Sequence, residues 1–273
     1  MSEGNVIKET NMLVTKSTLI NELRELGVKK GMTLIVHSSL SSIGWVCGGA
    51  PTVVMALQEV LTEEGTLVMP THTGNNSEPS DWGNPPVPKE WWQPIREEMP
   101  GFMPGTTPTF FMGAVPECFR KYPNVVRSNH PTVSFAAWGK DAENIVADHE
   151  LDYELGNKSP LGKIYELDGH ILLLGVGYDS NTSMHLAEHR VENYPTKQSG
   201  SAIIEDGIRK WVIYTSLVYQ DEMFEEIGRE FETSIDIDIL INGYIGKAPS
   251  KLIRQGPLVD FTQQYLLSKK GVM

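Results

Sequence analysis

Thr33-Leu34-Ile35-Val36-His37, then Ser38-Ser39-Leu40-Ser41-Ser42-Ile43-Gly44, Gly48-Gly49-Ala50-Pro51, the apolar stretch Thr52 to Leu61, and Gly65-Thr66-Leu67-Val68-Met69 decide the fold. The first run is short, apolar and β-branched, which suits a buried strand. Pro51 fits the first position of a helix, where its fixed φ is already helical and its missing N–H is not needed. Gly65 to Met69 repeats the strand signal. Strand, loop, helix, strand in this order predicts parallel strands joined by a crossover helix. The connecting loop is rich in small residues and feeds a helix N-terminus. Exposed backbone N–H groups and the helix dipole suit such a place to anions, phosphates above all. No Gly-Lys-[Ser/Thr] follows and no Gly-x-Gly-x-x-Gly is present. Spacing alone leaves a ligand loop and a serine-rich connection both open.

Outward from this core, Leu19, Ile20, Leu23 and Leu26 have helical spacing, with Ser17 expected as N-cap and Gly27 in the left-handed C′ position. Pro131 to Trp138 and Ile171 to Val176 read as further strands. Ala202 to Ile204 and Trp211 to Tyr214, with Glu205-Asp206-Gly207 between them, predict a hairpin. Asp221 to Glu232 sets Met223, Phe224, Ile227 and Phe231 on one helical face, and Pro257 to Lys269 predicts a C-terminal helix closed near Gly271. From Ser77 to Pro108 eight prolines rule out sustained structure, yet Trp82, Trp91 and Trp92 oppose disorder; a wall or lid beside a pocket is expected. No repeat or linker interrupts residues 1–273, so one domain is expected.

A chain of 273 residues with 40% hydrophobic content can bury a large core. Met1 to Ser17 has no apolar secretory core and no run is long enough to span a bilayer. Two cysteines, Cys47 and Cys118, stand outside any Cys-x-x-Cys spacing, which opposes both a disulfide scaffold and a cysteine metal site. A cytoplasmic protein is expected. The net charge of −12 argues against nucleic acid as a partner and favours cationic ligands.

The chemistry concentrates in Asn181-Thr182-Ser183-Met184-His185-Leu186-Ala187-Glu188-His189-Arg190, just past the apolar run His170 to Gly177. With Asn181 or Thr182 as the cap, His185 falls in the first turn of a helix. Residues three apart share a helix face, so Glu188 can orient His185 as a general base. The dipole at the N-terminus favours the neutral ring, while Glu188 favours the imidazolium that forms after transfer. The same letters match the His-x-x-Glu-His motif of inverted zincins, with His185 and His189 as ligands and Glu188 activating water. A zinc-dependent hydrolase is therefore the alternative. Asp221, Glu222, Glu225, Glu226, Glu230, Glu232, Asp236 and Asp238 face the single cation Arg229 and suit a polycationic ligand as well as a solvated surface.

Several segments together make the chain resemble the aminoglycoside N(3)-acetyltransferase family. They are His37 to Gly44 with Gly48-Gly49-Ala50, Gly65 to His72, Met112-Gly113-Ala114-Val115-Pro116-Glu117, and Arg127-Ser128-Asn129-His130-Pro131 leading to Ser134-Phe135-Ala136-Ala137. Ser159 to Lys163 and Gly175 to Glu188 complete the set. The resemblance spans roughly residues 15 to 265. It implies a single-domain α/β fold with a central mixed β-sheet flanked by helices, and transfer of acetyl from acetyl-CoA to an amine. It further implies that His37, Ser38, Ser39 and Leu40 hold the pyrophosphate and pantetheine of CoA, that Met112, Gly113 and Ser128 line the same cleft, and that His185 and Glu188 are the base and its partner. Asp221, Glu222 and Glu225 are expected against a cationic small-molecule acceptor, an aminoglycoside or another amine. No metal cofactor and no membrane are implied, and a homodimer is the default assembly.

Overall fold

A computed structural model of the chain describes residues 3–10, 12–235 and 238–269. Asp236 of the acidic run and Gly271 lie outside them. The strands are β1 Thr33–Ser38, β2 Thr66–Pro70, β3 Val126–Arg127, β4 Phe135–Gly139, β5 His170–Leu174, β6 Thr196–Glu205, β7 Ile208–Leu217, β8 Leu240–Ile245 and β9 Ala248–Arg254. Seven of them form one sheet in the order β3-β4-β2-β1-β5-β9-β8. β1 pairs in parallel with β2 and with β5, whereas β4 and β9 join antiparallel on either side. The sheet is mixed and covered on both faces.

Alternation along the strands assigns the two faces. Leu34, Val36, Leu67, Met69, Leu172 and Leu174 pack on one side with the helices Lys16–Glu25, Ala50–Leu61 and Ala114–Phe119. Ile35, Val68, Ile171 and Leu173 pack on the other, against Pro160–Glu166, His185–Glu188, Phe224–Ser234 and Gln255–Lys269. Burial on both faces is why these strands read as unbroken apolar runs rather than as alternating ones. Each fully buried Leu, Ile or Val contributes about 1.5–3 kcal/mol.

Several boundaries differ from the sequence reading. The first of these helices begins at Lys16, and Thr15, not Ser17, caps it in a reciprocal bond pair with Thr18. Gly27 does take the left-handed position, with φ +103°. The fourth strand starts only at Phe135: the His130 ring accepts the backbone N–H groups of Thr132 and Val133 (3.3 and 3.1 Å), so Pro131 to Val133 form a turn. The predicted hairpin is longer than expected, β6 to β7, and turns through Asp206 and Gly207, both at positive φ. Within the proline-rich segment a short helix, Trp92–Glu98, survives with Pro94 in its first turn.

β1 lies between its sequence neighbour β2 and the distant β5, so the chain leaves the carboxyl ends of adjacent strands in opposite directions. Such a switch point opens a crevice outside those ends. Here the ends are Ser38, Pro70 and Leu174.

Candidate active site

A cavity of about 1010 Å³ occupies that crevice. Its wall takes His37 to Ser41 from the loop after β1, His72 from beyond β2, and Val176, Asp179, Ser180, Thr182 and His185 from beyond β5. Gly48-Gly49 and Phe111 to Ala114 close one side, Asp221 another. Gly48 and Gly49 have φ of +84° and +64°, and a Cβ at Gly48 would come within 2.6 Å of the Thr52 Oγ1. The turn therefore needs glycine, and it delivers the N-terminus of the twelve-residue helix Ala50–Leu61 to the cavity. Among the described residues, no lysine or arginine lines the wall.

His185 opens a helical turn that follows a 3₁₀ turn, Thr182–Met184, capped by the Asn181 side chain, which accepts the Ser183 N–H at 3.2 Å. Its Nδ1 lies 2.6 Å from Glu188 Oε2. The other carboxylate oxygen accepts the Tyr194 hydroxyl at 2.7 Å and the Gln220 N–H at 2.8 Å. Glu188 is fully buried, so these three donors take the place of water for its charge. An Nδ1–H bonded to a carboxylate leaves Nε2 as the free ring nitrogen. The imidazole is further held between Tyr219 and Phe224, with ring centroids 4.6 and 4.8 Å away. Burial and the bond to Glu188 both push the Tyr194 hydroxyl up, which keeps it a neutral donor.

His37 and His72 line the same cavity in a different condition. Neither Nε2 has a hydrogen-bond partner, nor does the buried Ser38 Oγ. Burial first, and the nearby His185 second, pull both pKa values down to about 3, so both rings are neutral. Arg127 fixes the backbone beneath His72. Its guanidinium donates to the Thr71 carbonyl (2.6 Å), Thr71 Oγ1 (3.1 Å), Ser134 Oγ (3.0 Å) and the Pro104 and Thr107 carbonyls (3.1 and 2.5 Å). Burial lowers its pKa to about 10, still well above neutrality.

Of the residues nominated from sequence, His37, Ser38, Ser39, Leu40, Met112, Gly113, His185 and Asp221 reach the cavity, and Glu188 stands directly behind it. Ser128 does not. Its hydroxyl is buried within the fold, 2.9 Å from the His149 Nδ1 and accepting the Phe135 N–H at 2.9 Å, because it precedes the turn that starts β4. Glu222 and Glu225 are also absent from the wall, since one helical turn carries only Asp221 to it; the Glu225 carboxylate lies instead 3.4 Å from the Asp179 N–H. No residue of 77–108 lines the cavity. That segment packs on the hairpin, with the Phe102 N–H on the Ala202 carbonyl (2.9 Å) and Arg209 Nε on the Met99 carbonyl (3.0 Å). The sequence reading assigns no individual role to Asp179, Tyr194, Gln220 or Arg127. Asp179 lies in the short turn Tyr178–Ser180 that follows β5, on the same carboxyl edge of the sheet as the loop after β1, a usable signal, whereas nothing local marks Gln220.

The donors do not suit the zinc alternative. The His189 Nε2 lies 3.0 Å from the Tyr219 hydroxyl, and both Glu188 oxygens are occupied. Among the described residues no three His, Cys, Asp or Glu side chains converge as a ligand set.

A mixed α/β sheet with a carboxylate-bonded imidazole in a crevice at its switch point fits the class of enzymes that bind small molecules outside the carboxyl ends of their strands. Comparison with known proteins narrows this class. The family model for aminoglycoside 3-N-acetyltransferase matches residues 35–267. The SPbeta prophage-derived aminoglycoside N(3')-acetyltransferase-like protein YokD of Bacillus subtilis (strain 168) is 46% identical over 264 residues, covering 96% of each chain. Its crystal structure superposes with a TM-score of 0.95, at 45% identity and 98% coverage of each chain. AAC-IIIb in binary complex with CoASH gives 0.83 at 28% identity, covering 94% of this chain and 98% of the other. AAC-VIa bound to sisomicin gives 0.84 at 28%, covering 94% and 99%. The chain belongs to the aminoglycoside 3-N-acetyltransferase family.

Proposed function

We propose that the protein transfers acetyl from acetyl-CoA to the 3-amino group of an aminoglycoside-type polyamine, with residues 1–273 working as one acetyltransferase domain. The observation that carries this reading is the dyad: a buried carboxylate with three donors, one of them Nδ1 of the imidazole that reaches the cavity. An ammonium cannot attack a thioester, so the acceptor must attack as the amine and shed a proton as the N–C bond forms. His185 Nε2 takes that proton, and Glu188 stabilises the imidazolium. The C–S bond then breaks, and the proton passes on to the CoA sulphur. The thiolate is a good leaving group, so no acyl-enzyme is needed; neither Cys47 nor Cys118 is in the wall.

The donor suits the side built from Ser38 to Ser41, Gly48-Gly49 and Met112-Gly113, where a helix N-terminus favours a diphosphate. The relative with CoASH bound supports this choice. The acceptor suits the side with Asp179 and Asp221, the two carboxylates of the wall, and the relative bound to sisomicin supports that choice. Replacing His185 by Ala tests the proposal: transfer is lost while CoA, titrated calorimetrically, binds as to the parent protein. Full turnover in this variant would remove His185 as the base.

A further inference from the structure

Three buried polar atoms in the cavity wall, His37 Nε2, Ser38 Oγ and His72 Nε2, have no partner in the protein. A buried polar group left without a partner destabilises the fold that holds it. Retaining three of them around one cavity is costly to the fold unless a ligand completes them. His37 differs from the other two. It belongs to the central strand and is paired there with Leu173 of β5, so the sheet fixes the backbone that carries its ring. By alternation it shares a face with Ile35, the face on which the helix of His185 packs, while Ser38 falls on the opposite face. His72 stands beyond the end of β2, edge-on to Phe135 at 5.3 Å.

We propose, building on the acetyl-CoA reading above, that His37 is a second catalytic residue: its neutral imidazole donates a hydrogen bond from Nε2 to the thioester carbonyl oxygen and stabilises the oxyanion as the amine attacks. His185 and His37 then serve opposite ends of one event. The nitrogen lone pair forms the N–C bond, its proton moves to His185, and the carbonyl π pair moves onto the oxygen that His37 faces. Collapse of that oxyanion restores the C=O bond and expels the CoA sulphur. A ring already neutral at working pH donates without needing a proton from solvent, and burial in the strand keeps His37 so. A donor fixed in place before reaction is the arrangement that stabilises developing charge most, with single donors accounting for about 10²–10³ in kcat.

Free CoA has no acetyl carbonyl, and this separates the proposal from simple pantetheine binding. The experiment measures kcat for acetyl transfer, Kd for free CoA, and the carbonyl stretch of bound acetyl-CoA labelled with carbon-13, in the parent protein and in His37→Phe and His37→Gln. Expected are a carbonyl shifted to lower frequency in the parent and a shift lost in His37→Phe. That variant also loses about a hundredfold in kcat with CoA affinity within twofold, and the amide of His37→Gln recovers part of the rate. Unchanged kcat in His37→Phe, a parallel loss of CoA affinity, or an unshifted carbonyl in the parent would each overturn it; the last needs no variant to fold. Failure of the parent to bind CoA at all would instead refute the donor reading on which it rests.

Discussion

The two sides of the cavity differ in how their polar atoms are satisfied. Behind His185, both oxygens of Glu188 are engaged by the protein: an imidazole, a phenol and a backbone N–H converge on one buried carboxylate. At the ends of β1 and β2, His37, Ser38 and His72 bring polar atoms to the cavity and leave them unbonded. On the proposed function, the contrast separates residues set before substrate arrives from residues that substrate completes. A base needs its tautomer fixed in advance; groups that meet a ligand need free capacity.

The sharpest way to break this contrast is Glu188→Gln. The amide turns an N–H toward at least one of the three donors, and the tautomer of His185 is no longer enforced. A fall of about 10²–10⁴ in kcat is expected, with CoA affinity kept and about 1–3 kcal/mol lost from stability for the orphaned donor. Steady-state kinetics with a urea titration checks both. Unchanged kcat would make the dyad a packing feature.

The neutrality of the other side is tested by acid. His37 and His72 are pulled down to about 3, and His149 and His189 to about 4, by burial before all else, from a usual value near 6.5. Below pH 6.5 the unfolded chain takes up these protons and the folded chain does not, so stability falls as pH drops towards those values. Each ring contributes about 1.4 kcal/mol per pH unit. Glu154, whose carboxyl burial raises, opposes this in part. Urea unfolding at pH 7.0 and pH 5.5 shows the loss; equal stability would mean that the imidazoles are charged or solvated.

A smaller effect sharpens the assignment of the acceptor side. Asp179→Asn and Asp221→Asn each raise the acceptor KM about three- to tenfold, as exposed charges do, and leave CoA binding alone. A rise in CoA Kd instead would exchange the two sides. The smallest effect expected is from Trp91→Ala. Trp91 is 55% exposed and absent from the wall, so kcat and KM stay within about twofold. A large loss would restore the proline-rich segment as a wall of the site.

The same contrast explains what the sequence disclosed. The order of β1, loop, helix and β2 was legible because both faces of the strands are buried and Pro51 marks the helix start. His185 and Glu188 were legible because one helical turn joins them, and Asp206-Gly207 announced the hairpin turn. Tertiary pairing wrote the rest. Gln220 meets Glu188 across 32 residues, and Ser128 meets His149 across 21, which withdraws a serine that the resemblance had given to CoA. Among the described residues of the acidic run that Asp221 opens, only Asp221 enters the wall, since the choice depends on where the preceding turn ends.

Release of free CoA thiol from acetyl-CoA, followed with the purified protein and a panel of aminoglycosides that includes 3-amino-blocked analogues, tests the central claim most directly. The account predicts turnover with the free amines that disappears with the blocked ones. Turnover that persists with the blocked analogues, or none with any amine despite tight binding of acetyl-CoA, would contradict it.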